Sequence, residues 1–254
     1  MKKEVKNIIL RTFMLLVLVA ILALMVGAKI NRERTPVSGI DVSIDEMNER
    51  FFVSKEEINK LVTSHFNFQN KIMTGSILKK IEQTIEAVPK VKNASAYVND
   101  NATLRVEVEQ RMPVARVFAL NGMSFYLDDE GNKFPLSPAY SAKVPVITGN
   151  ILESGEQVEK IRTKNLADAY AVEMQLRKND AWESLFGQVN VNDKNEIELV
   201  PRIGNAIVLL GTPENLEAKM KKLTVFFAEV LGREGWDKYK VINIMYKDQV
   251  VCLK

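Results

Sequence analysis

The chain has 254 residues, 46% hydrophobic and 26% charged, and its 35 basic and 32 acidic side chains leave a formal charge of +3. With the charges spread along the chain, there is no electrostatic footprint for nucleic-acid binding. A single cysteine, Cys252, and a single histidine, His65, exclude an internal disulfide and the usual nitrogen and sulfur ligand sets for zinc.

The first element is Ile8 to Ala28, which reads IILRTFMLLVLVAILALMVGA and carries no charge from Thr12 onward. At about 1.5 Å of rise per residue, roughly 20 apolar residues cross the hydrocarbon layer of a membrane. A proline-free helix also satisfies its own backbone there. The stretch predicts a transmembrane helix over residues 8–29 after a cytoplasmic tail over residues 1–7. The competing reading is a cleavable signal peptide, since Val26-Gly27-Ala28 are small enough for cleavage. Signal-peptide cores run to about 15 apolar residues, and this one is longer. Lys2, Lys3, Lys6 and Arg11 precede the stretch while Lys29, Arg32 and Arg34 follow it. This slight bias favours an exported C-terminal body.

Residues 31–39 carry charge, Pro36 and Gly39, as a linker does. Ile40, Val42 and Ile44 then alternate with polar residues at the period of a strand. Ser54-Lys55-Glu56-Glu57 fits a capping box, with Ser54 as cap and Glu57 reaching back, and Ile58, Leu61, Val62 and Phe66 stripe the helix behind it. A second helix is expected from Ser76, with Ile77, Ile81, Ile85 and Val88 on one face and Pro89 as its stop. Val91–Val98 and Thr103–Gln110 predict a hairpin around Asn99-Asp100-Asn101. Strand, helix, helix, strand, strand over residues 36–110 makes one small domain, a sheet with two helices on one face.

Pro113 marks the passage to a second domain over residues 111–254. Strands are expected at Val114–Leu120 and Ser124–Leu127 around the Asn121-Gly122 turn, followed by a turn at Asp129-Glu130-Gly131 and a strand at Val144–Ile147. Val158 to Lys178 places Leu166, Ala169, Val172 and Leu176 at helical spacing. Phe186–Val191, Glu196–Val200 and Ala206–Leu210 return to strands. Thr212-Pro213-Glu214 then reads as the cap and first turn of a helix striped by Leu216, Met220, Leu223 and Phe227 and ended by Gly232. Val241–Tyr246 and Gln249–Leu253 close the chain as a strand pair. The class is α+β: an N-terminal membrane helix, a βααββ domain, and a mostly antiparallel β domain with two flanking helices.

Catalysis is not expected, and no cofactor or metal is called for. Ser76-Ile77-Leu78-Lys79 has the S-x-x-K spacing of penicillin-interacting enzymes, but neither an S-D-N nor a K-T-G string occurs. Ser76 therefore reads as a helix cap and Lys79 as a solvated side chain. Asp128-Asp129-Glu130 lacks the oxygen pattern of a calcium loop and reads as a solvated turn. His65 reads as a helix-end residue, and no phosphate-binding glycine motif is present. What remains is recognition through backbone. Gln249, Val250, Val251, Cys252 and Leu253 form a short β-prone run that, at a sheet margin, would offer unpaired N–H and C=O groups to another chain.

Several strings, in their order, resemble the FtsQ/DivIB family of bacterial division proteins. They are Pro89-Lys90-Val91 with Ala94, TLRVEVEQRMPVARV from Thr103, Asn121-Gly122 with FYLDDEGNKFPLS from Phe125, VPVITG from Val144, and VINIMY from Val241. The resemblance covers Pro36 to Lys254. It implies a POTRA domain followed by a β domain, in a non-enzymatic, single-pass scaffold of the inner membrane at the division site. It also implies partners of the FtsB and FtsL type, an indirect link to FtsW/FtsI-type septal synthases, and help in regulating septal wall synthesis. Carried over by position, strand addition falls on Tyr246 and Val250–Leu253, beside Lys254. The chain lacks the longer aromatic tail of some members. A protein-transport or chaperone POTRA module and a cell-wall-modifying enzyme are the alternatives. The first lacks a long C-terminal barrel and the second lacks its motifs.

Overall fold

The computed structural model describes residues 12–25, 36–45, 52–67, 71–138 and 140–254. Residues 12–25 form helix α1, with every side chain exposed. The predicted tail and both ends of the predicted span over residues 8–29 lie outside the described residues. Among the described residues no helix is long and apolar enough to cross a membrane. The chain divides into two compact units, one ending at Gln110 and the other Arg111–Lys254.

The first unit contains β1 (Gly39–Ile44), α2 (Lys55–His65), α3 (Gly75–Glu86), β2 (Val91–Val98) and β3 (Thr103–Gln110). Its sheet runs in the order β1-β3-β2, with β1 parallel and β2 antiparallel to the central strand. Period-2 alternation buries Leu104, Val106 and Val108 on one face of β3, where Ile58 and Val62 of α2 and Ile81 and Ile85 of α3 join the core. The Glu57 N–H donates to Ser54 Oγ at 3.0 Å, as a cap requires. The Glu57 carboxylate, however, faces Lys90 Nζ at 3.6 Å, so the reach back to Ser54 is replaced by an ion pair. The cap of α3 is Thr74, and Ser76 lies in the first turn with its Oγ 2.9 Å from Thr74 Oγ1. Lys79 is exposed. At the hairpin, Asn99 Oδ1 accepts from the Asn101 and Thr103 N–H groups, which lets Ala102 take a positive φ of 57°.

The second unit contains β4 (Pro113–Phe118), β5 (Ser124–Asp128), β6 (Asn132–Pro135), β7 (Val146–Gly149), β8 (Glu159–Lys160), α4 (Lys164–Leu176), α5 (Asp180–Leu185), β9 (Phe186–Val191), β10 (Ile197–Pro201) and β11 (Ile207–Gly211). After these come α6 (Leu216–Phe226), a π-turn (Phe227–Leu231), α7 (Gly232–Glu234), β12 (Val241–Asn243) and β13 (Val251–Leu253). All ten strands make one sheet in the order β13-β12-β11-β10-β9-β7-β4-β5-β6-β8. The sheet is mixed, because β4/β7, β7/β9 and β11/β12 pair in parallel. Leu166, Ala169, Val172 and Leu176 of α4 are buried in a core shared with Met220 and Leu223 of α6.

Four expectations shift here. Residues 158–163 are not helical; β8 occupies Glu159–Lys160, and α4 begins only after Thr163. The short helix α5 is extra, started by Asn179 Oδ1 accepting from the Ala181 and Trp182 N–H groups at 3.0 and 3.3 Å. Thr212-Pro213-Glu214 is a turn and the cap is Asn215, at φ 53°; proline suits a turn as well as a first helical turn. Gly232, at φ −60°, stays helical, and Gly235, at φ 89°, ends the run. The π-turn widens the helix so that Phe226 is buried while Phe227 packs against the rings of Trp182, Phe186 and Trp236.

Candidate functional site

The last three elements of the second unit build its sheet margin. Strand β11 feeds α6, which crosses back so that β12 lies parallel to β11, with Ile207 opposite Val241 and Leu209 opposite Asn243. The chain then folds back as β13, antiparallel to β12, pairing Asn243 with Val251, Ile242 with Cys252 and Val241 with Leu253. β13 is the end strand of the sheet, so among the described strands β12 is its one neighbour. An end strand carries a row of backbone groups that no neighbour takes up.

Side chains along this margin follow a two-residue period. Val250 and Cys252 pack against the core, while Val251 and Leu253 are 39% and 59% exposed. Burial pushes the Cys252 thiol up from its ordinary pKa, so it stays protonated and behaves as a small apolar filler. Gln249 is exposed. Tyr246, 51% exposed, sits in the loop between the two strands rather than in a strand. Of the six residues expected at the contact, the structure brings Val251, Cys252 and Leu253 into β13 and places Tyr246, Gln249 and Val250 on the approach to it.

Two groups that sequence reasoning missed hold this margin. Lys222 Nζ donates to the Ile244 carbonyl at 2.9 Å and to the Tyr246 carbonyl. Lys219 Nζ donates to the Leu210 and Thr212 carbonyls at 3.1 and 2.7 Å. Beside them is a hollow of about 310 Å³, lined by Asn215, Ala218, Met245, Tyr246 and Lys247 as well as these two lysines. Read from sequence, lysines three apart on a helix are a solvated face.

The first unit's sheet ends on β1 and β2, and along β2 the carboxylates of α3 take up two outward backbone donors. The Ala96 N–H donates to Glu82 Oε1 at 2.9 Å and the Ala94 N–H to Glu86 Oε1 at 3.3 Å. At the far end of the ten-stranded sheet β8 is only two residues long.

Four of the five buried charged side chains among the described residues are paired with one another or with Glu159. Arg111 Nη1 meets Asp128 Oδ2 at 2.5 Å, and Asp128 also accepts from the Glu130 N–H, the Asn132 N–H and Asn132 Nδ2 at 3.0, 2.7 and 2.9 Å. Burial alone would raise the Asp128 pKa, but the bonds from Asn132 and Arg111 hold it below the ordinary carboxylate value. This corrects the reading of Asp128 as solvated: it has no exposed surface and ties the β5–β6 turn together. Lys133, also buried, pairs with Glu153 at 2.7 Å and Glu159 at 2.9 Å. Burial pulls Glu153 upward, yet Lys133 and Thr163 bonds keep its pKa below the ordinary value. Glu173 differs, since its Oε1 has no hydrogen-bond partner and burial pushes its pKa to about 7. His65 Nδ1 lies 3.0 Å from both Ser64 Oγ and the Leu61 carbonyl, at the end of α2. Among the described residues no group of three or more His, Cys, Asp or Glu side chains is gathered as a metal site.

Comparison with known proteins matches residues 112–253 to the family model described as FtsQ/DivIB, C-terminal related. Residues 36–109 match the POTRA-like domain model. No curated protein matches the chain.

Proposed function

Since the chain belongs to the FtsQ/DivIB family, we propose that it is a non-enzymatic scaffold of the division machinery that receives a strand from another division protein along β13. One observation carries this reading: β13 ends its sheet with an unoccupied outer margin and two exposed apolar side chains, Val251 and Leu253. Backbone pairing along that margin supplies affinity, and the two outward side chains supply choice of partner. The partners are of the FtsB and FtsL type, and through them the scaffold helps regulate septal wall synthesis by FtsW/FtsI-type enzymes. The contact comprises Tyr246 and residues 249–253. The uncharged stretch that includes α1 anchors the body in the inner membrane as a single span over residues 8–29, with the C-terminal body outside the cytoplasm.

The test is Val251→Pro. Proline removes a backbone donor and its ring does not fit a strand interior, so the ladder breaks whether that N–H faces β12 or the newcomer. In a pull-down with FtsB-type partners the variant is expected to lose binding, while the circular dichroism of the POTRA unit is unchanged. Full partner binding by Val251→Pro would refute this surface.

A further inference from the structure

The last two strands are only three residues each, too short to fix their own position. Between them, residues 244–250 turn back with little backbone support. The Ile244 N–H donates to the Leu209 carbonyl at 3.0 Å, and the Met245 N–H to Asn243 Oδ1 at 2.9 Å. Ile244 and Val250 pack into the core at the two ends of this loop, and its other hydrogen bonds come from α6.

We propose that Lys222 is a positioning residue for strand addition: its ammonium, bonded to the Ile244 and Tyr246 carbonyls, fixes where β13 lies and so presents an ordered margin to the incoming strand. This rests on the strand-addition reading above and goes beyond it in naming what holds the margin ready. The geometry is a matched pair of clamps. Extending the β11/β12 register by one residue sets Leu210 beside Ile244. Lys219 holds the Leu210 and Thr212 carbonyls, and Lys222, almost one helical turn on, holds those of Ile244 and Tyr246. Each lysine has an acid near it two residues beyond its second carbonyl, Glu214 for Lys219 and Asp248 for Lys222.

Helix α6 thus closes the ends of two parallel strands by one device used twice, and the second use governs the loop that leads into β13. A margin ordered before encounter spares the newcomer the entropy of ordering it, which is the source of affinity in a preorganised site. Burial lowers the pKa of both ammonium groups, as expected of cations held against carbonyls rather than water.

Amide hydrogen exchange on the full chain in detergent tests this with Lys222→Met, Lys222→Arg and Lys219→Met. Bonds from a charged donor are worth roughly ten- to a hundredfold in a local equilibrium. Lys222→Met is therefore expected to speed exchange over residues 241–253 by that factor, with β9 and β10 as in the parent. Lys222→Arg, which can still donate to both carbonyls, restores most of the protection, and Lys219→Met acts first on residues 210–212. The affinity of the labelled extracytoplasmic segment of the cell's own FtsB-type protein falls by as much as the ordered fraction of the margin falls. Unchanged exchange over residues 241–253, or a uniform rise across the whole sheet, overturns the positioning role and leaves strand addition standing. Local loosening with undiminished affinity overturns the positioning role alone, whereas full binding by Val251→Pro overturns strand addition at β13 and the positioning role with it.

Discussion

β2 and β13 are both end strands, and the molecule treats them oppositely. Beside β2, helix α3 offers Glu82 and Glu86 as acceptors for the Ala96 and Ala94 N–H groups. Four helical residues rise about 6 Å and two strand residues about 6.6 Å, so carboxylates at i and i+4 match alternate donors of a strand. The carboxylates thereby stand in for a missing neighbour. Beside β12 and β13, helix α6 offers the opposite chemistry, ammonium donors for carbonyls at strand ends, and leaves the outer side of β13 alone. The two covering helices thus differ in the polar groups they present to the strands beside them.

The two units differ in their interiors as well. Among the described residues all the buried charged side chains, Arg111, Asp128, Lys133, Glu153 and Glu173, belong to the second unit. The largest effect is expected from Asp128→Ala, which leaves Arg111 without its buried partner and frees three donors of the β5–β6 turn. Breaking a buried pair from one side costs about 3–5 kcal/mol. Calorimetry should show the unfolding transition of the second unit falling and that of the POTRA unit unmoved. A joint shift would mean that the two do not unfold separately. Because the Asp128 pKa is depressed in the fold, its contribution is present above the ordinary carboxylate pKa and fades as the pH drops below it.

Glu173 carries the opposite sign. Its pKa of about 7 lies above the unfolded value, so the folded state holds a proton that the unfolded chain has released. The Glu173 contribution to stability is thus greatest below about pH 4.5, falls as pH rises from there to 7, and is flat beyond, a total on the order of 3 kcal/mol. Burial outweighs the pull of Arg177, whose guanidinium is bonded to Glu183 at 3.0 Å, and of Arg202, both of which lower the Glu173 pKa only in part. Glu173→Gln should remove this slope and be the more stable protein at pH 8, measured by urea unfolding at pH 5 and pH 8. Equal slopes in parent and variant would refute the assignment.

Much of the frame was legible because it rests on local patterns. The β2–β3 hairpin and β9 occupy the expected residues, and the apolar stripe of α4 is buried as its spacing predicts. The contact proposed at the tail rests on resemblance and β-propensity together. What escaped was set by tertiary partners. Asp128 reads as one acid among three in a turn until Arg111, 17 residues earlier, is seen to meet it. Lys219 and Lys222 resemble any exposed lysines until the fold brings residues 210 and 212 beside the first and residues 244 and 246 beside the second. Gly232 looked like a helix stop because a helix continuing through a π-turn has no simple spacing.

The edge contrast itself can be broken with the smallest change in stability. Glu82→Ala with Glu86→Ala leaves the Ala94 and Ala96 N–H groups without acceptors, at a cost of about 1–3 kcal/mol shared between water and any newcomer. An end strand freed in this way becomes a template for pairing, so the double variant is expected to self-associate, as sedimentation velocity would register, while the parent does not. Glu82→Gln with Glu86→Gln keeps an acceptor oxygen at both places and loses the charge, and it should behave as the parent. If the glutamine pair also associates, repulsion and not hydrogen bonding guards β2. If neither pair associates, the margin is closed by something other than these carboxylates, and the distinction between the two end strands would need another cause.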